Sequence, residues 1–174
     1  LQVDLVALTE SSRGEAAQAR VGWKAAGGRV RLWDDTEALP RVDMHVDAMY
    51  GIGLNRAPDV AAAALIEAIN ASATPVLALD LPSGLSADSG DCPGAVIRAD
   101  VTVTFIAHKR GLHTGRAVDR VGTLELATLG VPASVYSPLQ PDALLLVAEA
   151  LPPRARHANK GDNGHVLIIG GDHG

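Results

Sequence analysis

A carboxylate and a hydroxyl stand close together where an apolar run gives way to a loop. The run PVLALD (75–80) ends at Asp80, and the loop LPSGLSADSGDCPG (81–94) that follows carries Ser83. Open parallel sheets place their ligand sites at the carboxyl ends of their strands. We therefore expect Asp80 and Ser83 to face a ligand, while the alternative is that each side chain only caps its own turn.

A second carboxylate, Asp47, lies near the end of another run, DMHVDAM (43–49). In a parallel sheet Asp47 and Asp80 would share one edge, where a carboxylate can hold a ribose hydroxyl, bind a cation or act as a base. The loop around Ser83 lacks the G-x-S-x-G elbow of a serine nucleophile. Its hydroxyl and carbonyl oxygens suit a hard cation better than acyl transfer.

A glycine-bearing loop follows Asp47 and precedes a predicted helix. Two glycines there would let backbone N–H groups approach an anion at the start of that helix. The loop is neither G-x-G-x-x-G nor a Walker A motif, so the usual NAD and ATP fingerprints are absent and a plain turn is the alternative. Its members are Gly51, Ile52, Gly53, Leu54, Asn55, Arg56 and Ala57.

A basic cluster, His108-Lys109-Arg110, follows the apolar run 100–105. At a strand exit Lys109 could meet a phosphate or a carboxylate, while a solvated basic surface is the alternative. The six histidines show no paired spacing typical of zinc ligands, so no zinc site is expected. The single cysteine, Cys92, has no neighbouring metal ligand and is interpreted as a bystander.

These residues need a scaffold, and the apolar runs predict strands that alternate with helices. Such an order is typical of an α/β fold with a Rossmann-like, doubly wound and mostly parallel sheet. The predicted strands are 3–8, 29–33, 43–49, 75–80, 100–105 and 123–128, and the predicted helices are 14–26 and 60–72.

The totals exclude several functional classes. The chain has 174 residues, a net charge of −5 and only 3% aromatic residues, which argues against binding of nucleic acid. No apolar run is long enough to span a membrane. A single cysteine fits a reducing cytoplasm.

The sequence pattern of the chain changes after Pro132, where proline-bounded and polar segments follow the alternating strands and helices. We expect a helix that begins near Pro138 or Pro141 and stops at 152–153, then a polar linker over 154–164. The segment HVLIIGGDHG (165–174) predicts a strand that opens a further domain.

Taken in order, VDAMYGIGLNR, DLPSGLSADSG, ADVTVTFIAHKRGLHTG and VGTLELATLGVP resemble successive blocks of the YjeF N-terminal domain, the NAD(P)H-hydrate epimerase family. PPRARHANKGDNGHVLIIGGDHG is similar to the opening of the NAD(P)H-hydrate dehydratase domain, a ribokinase-like fold. The resemblance divides the chain into an epimerase domain over 1–135, a helix and linker over 136–164, and the start of the dehydratase domain over 165–174.

The resemblance implies an epimerase that interconverts the R and S hydrates of NADH and NADPH, joined to a dehydratase that uses ADP or ATP. It implies potassium ligands at Asp47 and Ser83, and substrate contacts from Asp80 and from the loop Gly51–Ala57. We infer in addition that Asp80 is the acid/base group and that Lys109 assists it. A homo-oligomer is one option that the sequence leaves open.

The chain also departs from the family pattern. Nothing in it matches the GNNGGDG-like loop that supplies further substrate contacts and an Asn ligand for the ion, and the dehydratase part breaks off after its first strand. We therefore expect a fragment with an incomplete epimerase site, for which activity alone is not expected. The alternative function is a non-catalytic module, on the same fold, that binds a ligand or a protein. A ribokinase-like kinase, suggested by the terminal GGDHG, is a third hypothesis.

Overall fold

The structure is a computed structural model that describes residues 2–10, 14–36, 38–146 and 157. The chain divides into a unit over Leu1–Asp142 and a second unit over Ala143–Gly174. The described part of the second unit, 143–146 and 157, contains neither helix nor strand. Among the described helices none is long and apolar enough to cross a membrane.

The first unit is built from parallel strands, as predicted. The strands are β1 (Leu5–Ala7), β2 (Val30–Leu32), β3 (His45–Asp47), β4 (Val76–Leu79), β5 (Val101–Phe105) and β6 (Thr123–Ala127). The helices are α1 (Gly14–Ala25), α2 (Val60–Ala71) and α3 (Ala133–Tyr136), and short 3₁₀ turns cover Arg110–Leu112 and Gly115–Asp119. The predicted α/β, Rossmann-like class is confirmed.

The strands form two sheets in the described residues instead of one. β1 pairs with β2, while the larger sheet has the order β3-β4-β5-β6, and every pairing is parallel. All strand partners in the larger sheet are therefore neighbours in the sequence. Every strand of that sheet ends at the same edge, which is where Asp47 and Asp80 were expected to meet.

Helix α2 packs one face on the larger sheet. Asp59 caps its start by accepting a hydrogen bond from the Ala62 N–H at 2.9 Å, which satisfies a donor that the helix leaves free. Leu65, Ile66 and Ile69 point inward and form a core cluster with the buried side chains of β4. Burial of a side chain such as Ile66 contributes about 1.5–3 kcal/mol to folding.

A second core cluster lies under the loop 81–94. Leu81 and Leu85 pack against side chains that include Val96, Leu112 and Val121. Residues 81–85 are all buried, which is unusual for a loop because loops normally run over the surface. The first part of the loop is therefore packed into the core, which fixes the position of Ser83.

The predicted helix that begins near Pro138 or Pro141 lies within the described residues up to residue 146. Where the structure describes the segment, over 138–146, it has no helix. The predicted linker, apart from His157, and the predicted strand over 165–174 lie outside the described residues.

Candidate functional site

Asp47 and Ser83 meet at the carboxyl edge of the larger sheet. The Ser83 backbone N–H donates to Asp47 Oδ2 at 2.7 Å, and the Ser83 hydroxyl donates to Asp47 Oδ1 at 2.6 Å. The Tyr50 N–H in turn donates to Ser83 Oγ at 3.0 Å. The pair therefore ties the end of β3 to the loop after β4, as the shared edge predicted.

The carboxylate of Asp47 is an unusual group to bury. The residue is 2% exposed, and burial raises the pKa of Asp47 above its ordinary value, although hydrogen bonds from Ser83 and Met49 lower it in part. Its charged form therefore lacks solvation that these three hydrogen bonds only partly replace. A nearby cation would compensate that charge.

The oxygen atoms at this position fit a hard monovalent cation. Asp47 and Ser83 supply only carboxylate and hydroxyl oxygen, the donor type that such ions prefer over nitrogen or sulfur. Neither here nor elsewhere in the described part of the chain do three or more histidine, cysteine, aspartate or glutamate side chains form a cluster that could hold a metal. Asp47 and Ser83 are thus the residues that would contribute to an ion site at this edge.

Asp80 adopts a backbone conformation that few residues with a side chain tolerate. Its φ is 72°, in the left-handed region, immediately after β4 ends. Strain of this kind concentrates at functional positions, where the surrounding structure holds it in place. Here the Asp80 N–H donates to the Val103 carbonyl at 2.8 Å, which anchors the strained residue to β5.

The side chain of Asp80 pairs with Lys109. The Lys109 ammonium group lies in contact with Asp80 Oδ1, and it also donates to Thr104 Oγ1 at 2.9 Å and to the Phe105 carbonyl at 2.8 Å. An ammonium group has three N–H donors, so these acceptors use all of them. Lys109 therefore meets a carboxylate, one of its two predicted partners, and holds that carboxylate in place.

Asp80 remains partly open to solvent, with 21% of its side chain exposed. Its second oxygen, Oδ2, lies beside Gly51, where an added Cβ would come within 3.1 Å of it. The carboxylate thus faces the start of the glycine-bearing loop, and that arrangement brings the two sequence motifs together.

The loop over 51–57 is mostly exposed and projects from the same edge. A turn in which the Leu54 N–H donates to the Gly51 carbonyl at 3.2 Å shapes its first half. Neither Gly51 nor Gly53 has a positive φ, and an added Cβ on Gly53 would have no atom within 4 Å. The loop is therefore accessible to a ligand. The structure records no contact of the Asn55 or Arg56 side chain with Asp80 or Ser83.

Two residues that contribute to the site were not predicted from the sequence. Thr104 is completely buried and accepts from Lys109, and the backbone of Tyr50 donates to Ser83. The alternation of β5 would assign its threonines to the polar face, so it gives no sign that Thr104 is buried, and the contribution of Tyr50 through its backbone leaves no signal in residue type.

His108 and His113 also come together, although their spacing matched no ligand motif. The tight turn Arg110–Leu112 brings His113 Nε2 to within 3.2 Å of His108 Nδ1. Burial and the neighbouring His108 lower the pKa of His113 below its ordinary value. The two histidines thus lie on either side of Lys109 in the sequence.

Comparison with known proteins places these residues in a family. A family model described as the YjeF-related protein N-terminus matches residues 1–111. A bifunctional NAD(P)H-hydrate repair enzyme of Escherichia coli K12 is 42% identical over 167 residues, which are 92% of this chain and 32% of that protein. An NAD(P)H-hydrate epimerase of Achromobacter xylosoxidans A8 is 44% identical over 118 residues, which are 67% of this chain and 56% of that protein.

A solved structure is similar in fold. The crystal structure of yeast ynu0 superposes with a TM-score of 0.60 at 18% identity, covering 79% of this chain and 61% of the yeast chain. This chain spans about a third of the length of the E. coli relative. Since the family model matches well over half of its residues, the chain belongs to the YjeF-related N-terminal family.

Proposed function

We propose that this chain forms the epimerase part of an NAD(P)H-hydrate repair enzyme and interconverts the R and S hydrates of NADH and NADPH. The observation that carries the proposal is the cluster of Asp80, Lys109, Ser83 and Asp47 at one sheet edge, beside the loop over 51–57. The 44% identical relative that is named as an NAD(P)H-hydrate epimerase supports it.

Asp80 is the acid/base group in this proposal. Inversion of the carbon that carries the hydroxyl can proceed by breaking and re-forming its C–O bond. The acid/base group gives a proton to the oxygen as water leaves and takes a proton back when water adds to the opposite face, and a carboxyl group at an accessible edge can do both. Asp80 is strained, partly exposed and oriented by Lys109, so it is positioned before the substrate arrives. We assign Lys109 the role of orienting Asp80, because its three donors are all engaged within the protein.

The loop over 51–57 would bind the substrate. Its backbone N–H groups precede helix α2, whose positive end favours a pyrophosphate group, and Arg56 adds a cation. A potassium ion, when bound, would add positive charge beside the substrate, and Asp47 and Ser83 would hold it. The positive charge of the ion would then compensate the buried negative charge of Asp47.

We further propose that the natural polypeptide is bifunctional, with a domain boundary after about residue 135 and a dehydratase part that begins at 165 and uses ADP or ATP. The likeness to the E. coli repair enzyme, which extends over 92% of this chain, supports this arrangement. A reducing cytoplasmic location is proposed from the single cysteine.

The direct test is stereochemical. Purified R hydrate is mixed with the longest natural polypeptide that contains these 174 residues, and the appearance of the S hydrate is followed by chromatography above the uncatalysed rate. We expect catalysed conversion in both directions. Binding of the hydrate without conversion would instead support a non-catalytic module on the same fold, and the absence of both would overturn the proposal.

Replacement of Ser83 by alanine should weaken the dependence on potassium. The change removes a hydroxyl that bonds both Asp47 and the Tyr50 backbone, so the ion would lose a ligand and its neighbour would lose orientation. We expect the half-saturating K⁺ concentration to rise roughly five- to tenfold, as for loss of about 1 kcal/mol of interaction. Ser86→Ala, in the same loop, is the matched control, and an unchanged K⁺ titration in Ser83→Ala would count against the ion site.

Replacement of Gly51 by alanine should displace the Asp80 carboxylate. The new Cβ would lie 3.1 Å from Asp80 Oδ2, closer than ordinary contact, so the carboxylate must shift by tenths of an ångström. We expect the epimerisation rate to fall roughly three- to tenfold, because catalytic groups tolerate little misplacement. Gly22→Ala, in helix α1 and outside the site, introduces the same methyl group into open space and should keep the wild-type rate; equal rates in the two variants would refute the contact.

A further inference from the structure

A cavity of about 370 Å³ lies away from the candidate site, between helix α2 and the segment 94–98. Glu67, Asn70, Arg98 and Arg120 line it together with small apolar residues. Arg98 precedes β5 and Arg120 precedes β6, whereas Asp80 follows β4. The two arginines therefore mark the amino edge of the larger sheet, opposite the edge that carries Asp80.

Arg98 is placed at the cavity by a side-chain clamp. Asn70 donates through Nδ2 to the Val96 carbonyl at 2.9 Å and accepts through Oδ1 from the Arg98 N–H at 2.8 Å. The Asn70 side chain thus donates one hydrogen bond to this short segment and accepts one from it. The backbone of Arg98 is thus fixed against α2, and its side chain lines the cavity.

The backbone of Arg120 is also fixed by hydrogen bonds, and one nitrogen of its side chain is buried. The Ala99 N–H donates to the Arg120 carbonyl at 2.9 Å, and the Arg120 N–H donates to the Ala117 carbonyl at 2.8 Å. The Nε atom of Arg120 is buried and has no hydrogen-bond partner. Unpartnered buried donors are rare in folded proteins, and a bound anion is one way in which such a donor is satisfied.

The charges around the cavity are not balanced. Within the residues that the structure describes, no carboxylate is recorded in an ion pair with Arg98 or Arg120. Glu67 lines the cavity but pairs with neither arginine. Two guanidinium groups against one carboxylate leave the cavity with a net positive charge.

We propose that this cavity binds a phosphate group, as free phosphate or as part of a small phosphorylated molecule. The planar forks of two arginines match the several acceptor oxygens of a tetrahedral dianion. An oxygen of the dianion would accept from the unpartnered Nε of Arg120, and the cavity volume lies within the range of small-ligand pockets. This site is independent of the proposed epimerase activity.

Isothermal titration with inorganic phosphate at fixed ionic strength tests the site in the 174-residue chain. Arg98→Ala and Arg120→Gln should each weaken binding roughly tenfold or more, since each removes a charge-assisted hydrogen bond. Glu67→Gln should tighten binding, because it removes the carboxylate that lines the cavity. Arg29→Ala, which removes an exposed arginine elsewhere, should bind phosphate as the wild type does.

Binding that survives Arg98→Ala but is lost in Arg56→Ala would place the phosphate at the opposite edge and overturn the proposal. Absence of phosphate binding by the wild-type chain would also overturn it. Arg98 is exposed, so Arg98→Ala is expected to fold even if Arg120→Gln does not, and it decides the outcome alone in that case. Weaker binding in Arg98→Ala together with unchanged binding in Arg29→Ala, which removes the same charge elsewhere, separates a specific site from general attraction to a charged surface.

Discussion

Replacing Asp80 with asparagine is expected to reduce epimerisation by about a hundredfold or more, the typical contribution of a positioned acid/base group. The amide cannot take up or release the proton that the carboxylate moves. Asparagine is also the residue that best tolerates the left-handed φ of 72°, so the backbone after β4 should stay in place. The measurement is the rate of conversion of R to S hydrate above the uncatalysed rate.

The same variant separates chemistry from stability. Asp80→Asn should keep a thermal midpoint close to that of the wild type, whereas Asp80→Ala should be less stable because alanine is strained at a positive φ. Near-normal turnover by Asp80→Asn would refute the acid/base role. Lys109→Met should also lower the rate, since Asp80 would lose the group that orients it.

Replacing Gly84 with alanine is expected to destabilise the fold by roughly 3 kcal/mol or more, because it combines a strained backbone conformation with a steric clash. Gly84 has a φ of 99°, and an added Cβ would lie 2.2 Å from the Ala95 carbonyl oxygen and 3.0 Å from the Val96 α-carbon. These are backbone atoms of a segment that the Ile97 N–H ties to the Ser83 carbonyl at 2.9 Å. The segment therefore cannot move aside without breaking the buried loop.

Urea unfolding measures the effect of Gly84→Ala, with Gly53→Ala as its matched control. An added methyl group at Gly53 has no atom within 4 Å and meets no positive φ, so its stability should change by less than about 0.5 kcal/mol. Equal unfolding midpoints for the two variants would show that the loop 81–94 yields easily to an added side chain.

The strands and long helices could be predicted from the sequence because their apolar periodicity is local. Runs such as 75–80 and 100–105 lie within a residue or two of β4 and β5. The separation into a two-stranded and a four-stranded sheet could not be predicted, since it depends on which three-residue strands find partners. The short 3₁₀ turns after β5 could not be predicted either, because they follow from packing of Gly111 against the loop carbonyl of Ser86.

For the site, the shared edge could be predicted and the bonds within it could not. Asp47 and Ser83 were expected near each other, but the sequence does not say that they satisfy one another through two hydrogen bonds. Lys109 was expected to meet a phosphate or a carboxylate, and it contacts the carboxylate of Asp80. Its further acceptor Thr104 could not be predicted, because the side to which Thr104 points follows only from the pairing of β5 with its neighbours. Roles of these residues in catalysis and ion binding remain predictions that the variants above test.

The consecutive strand order has a consequence for how the protein assembles. Each strand of the larger sheet pairs with the strand synthesised just before it, so every new pairing closes one crossover of fewer than 30 residues. The sheet can therefore grow from β3 to β6 in the direction of translation. Asp47, Asp80, Ser83 and Lys109 are all in place once β5 and the following turn have docked. The candidate site is thus complete before β6 is added, and β6 then seals β5, the strand that carries Lys109 to Asp80.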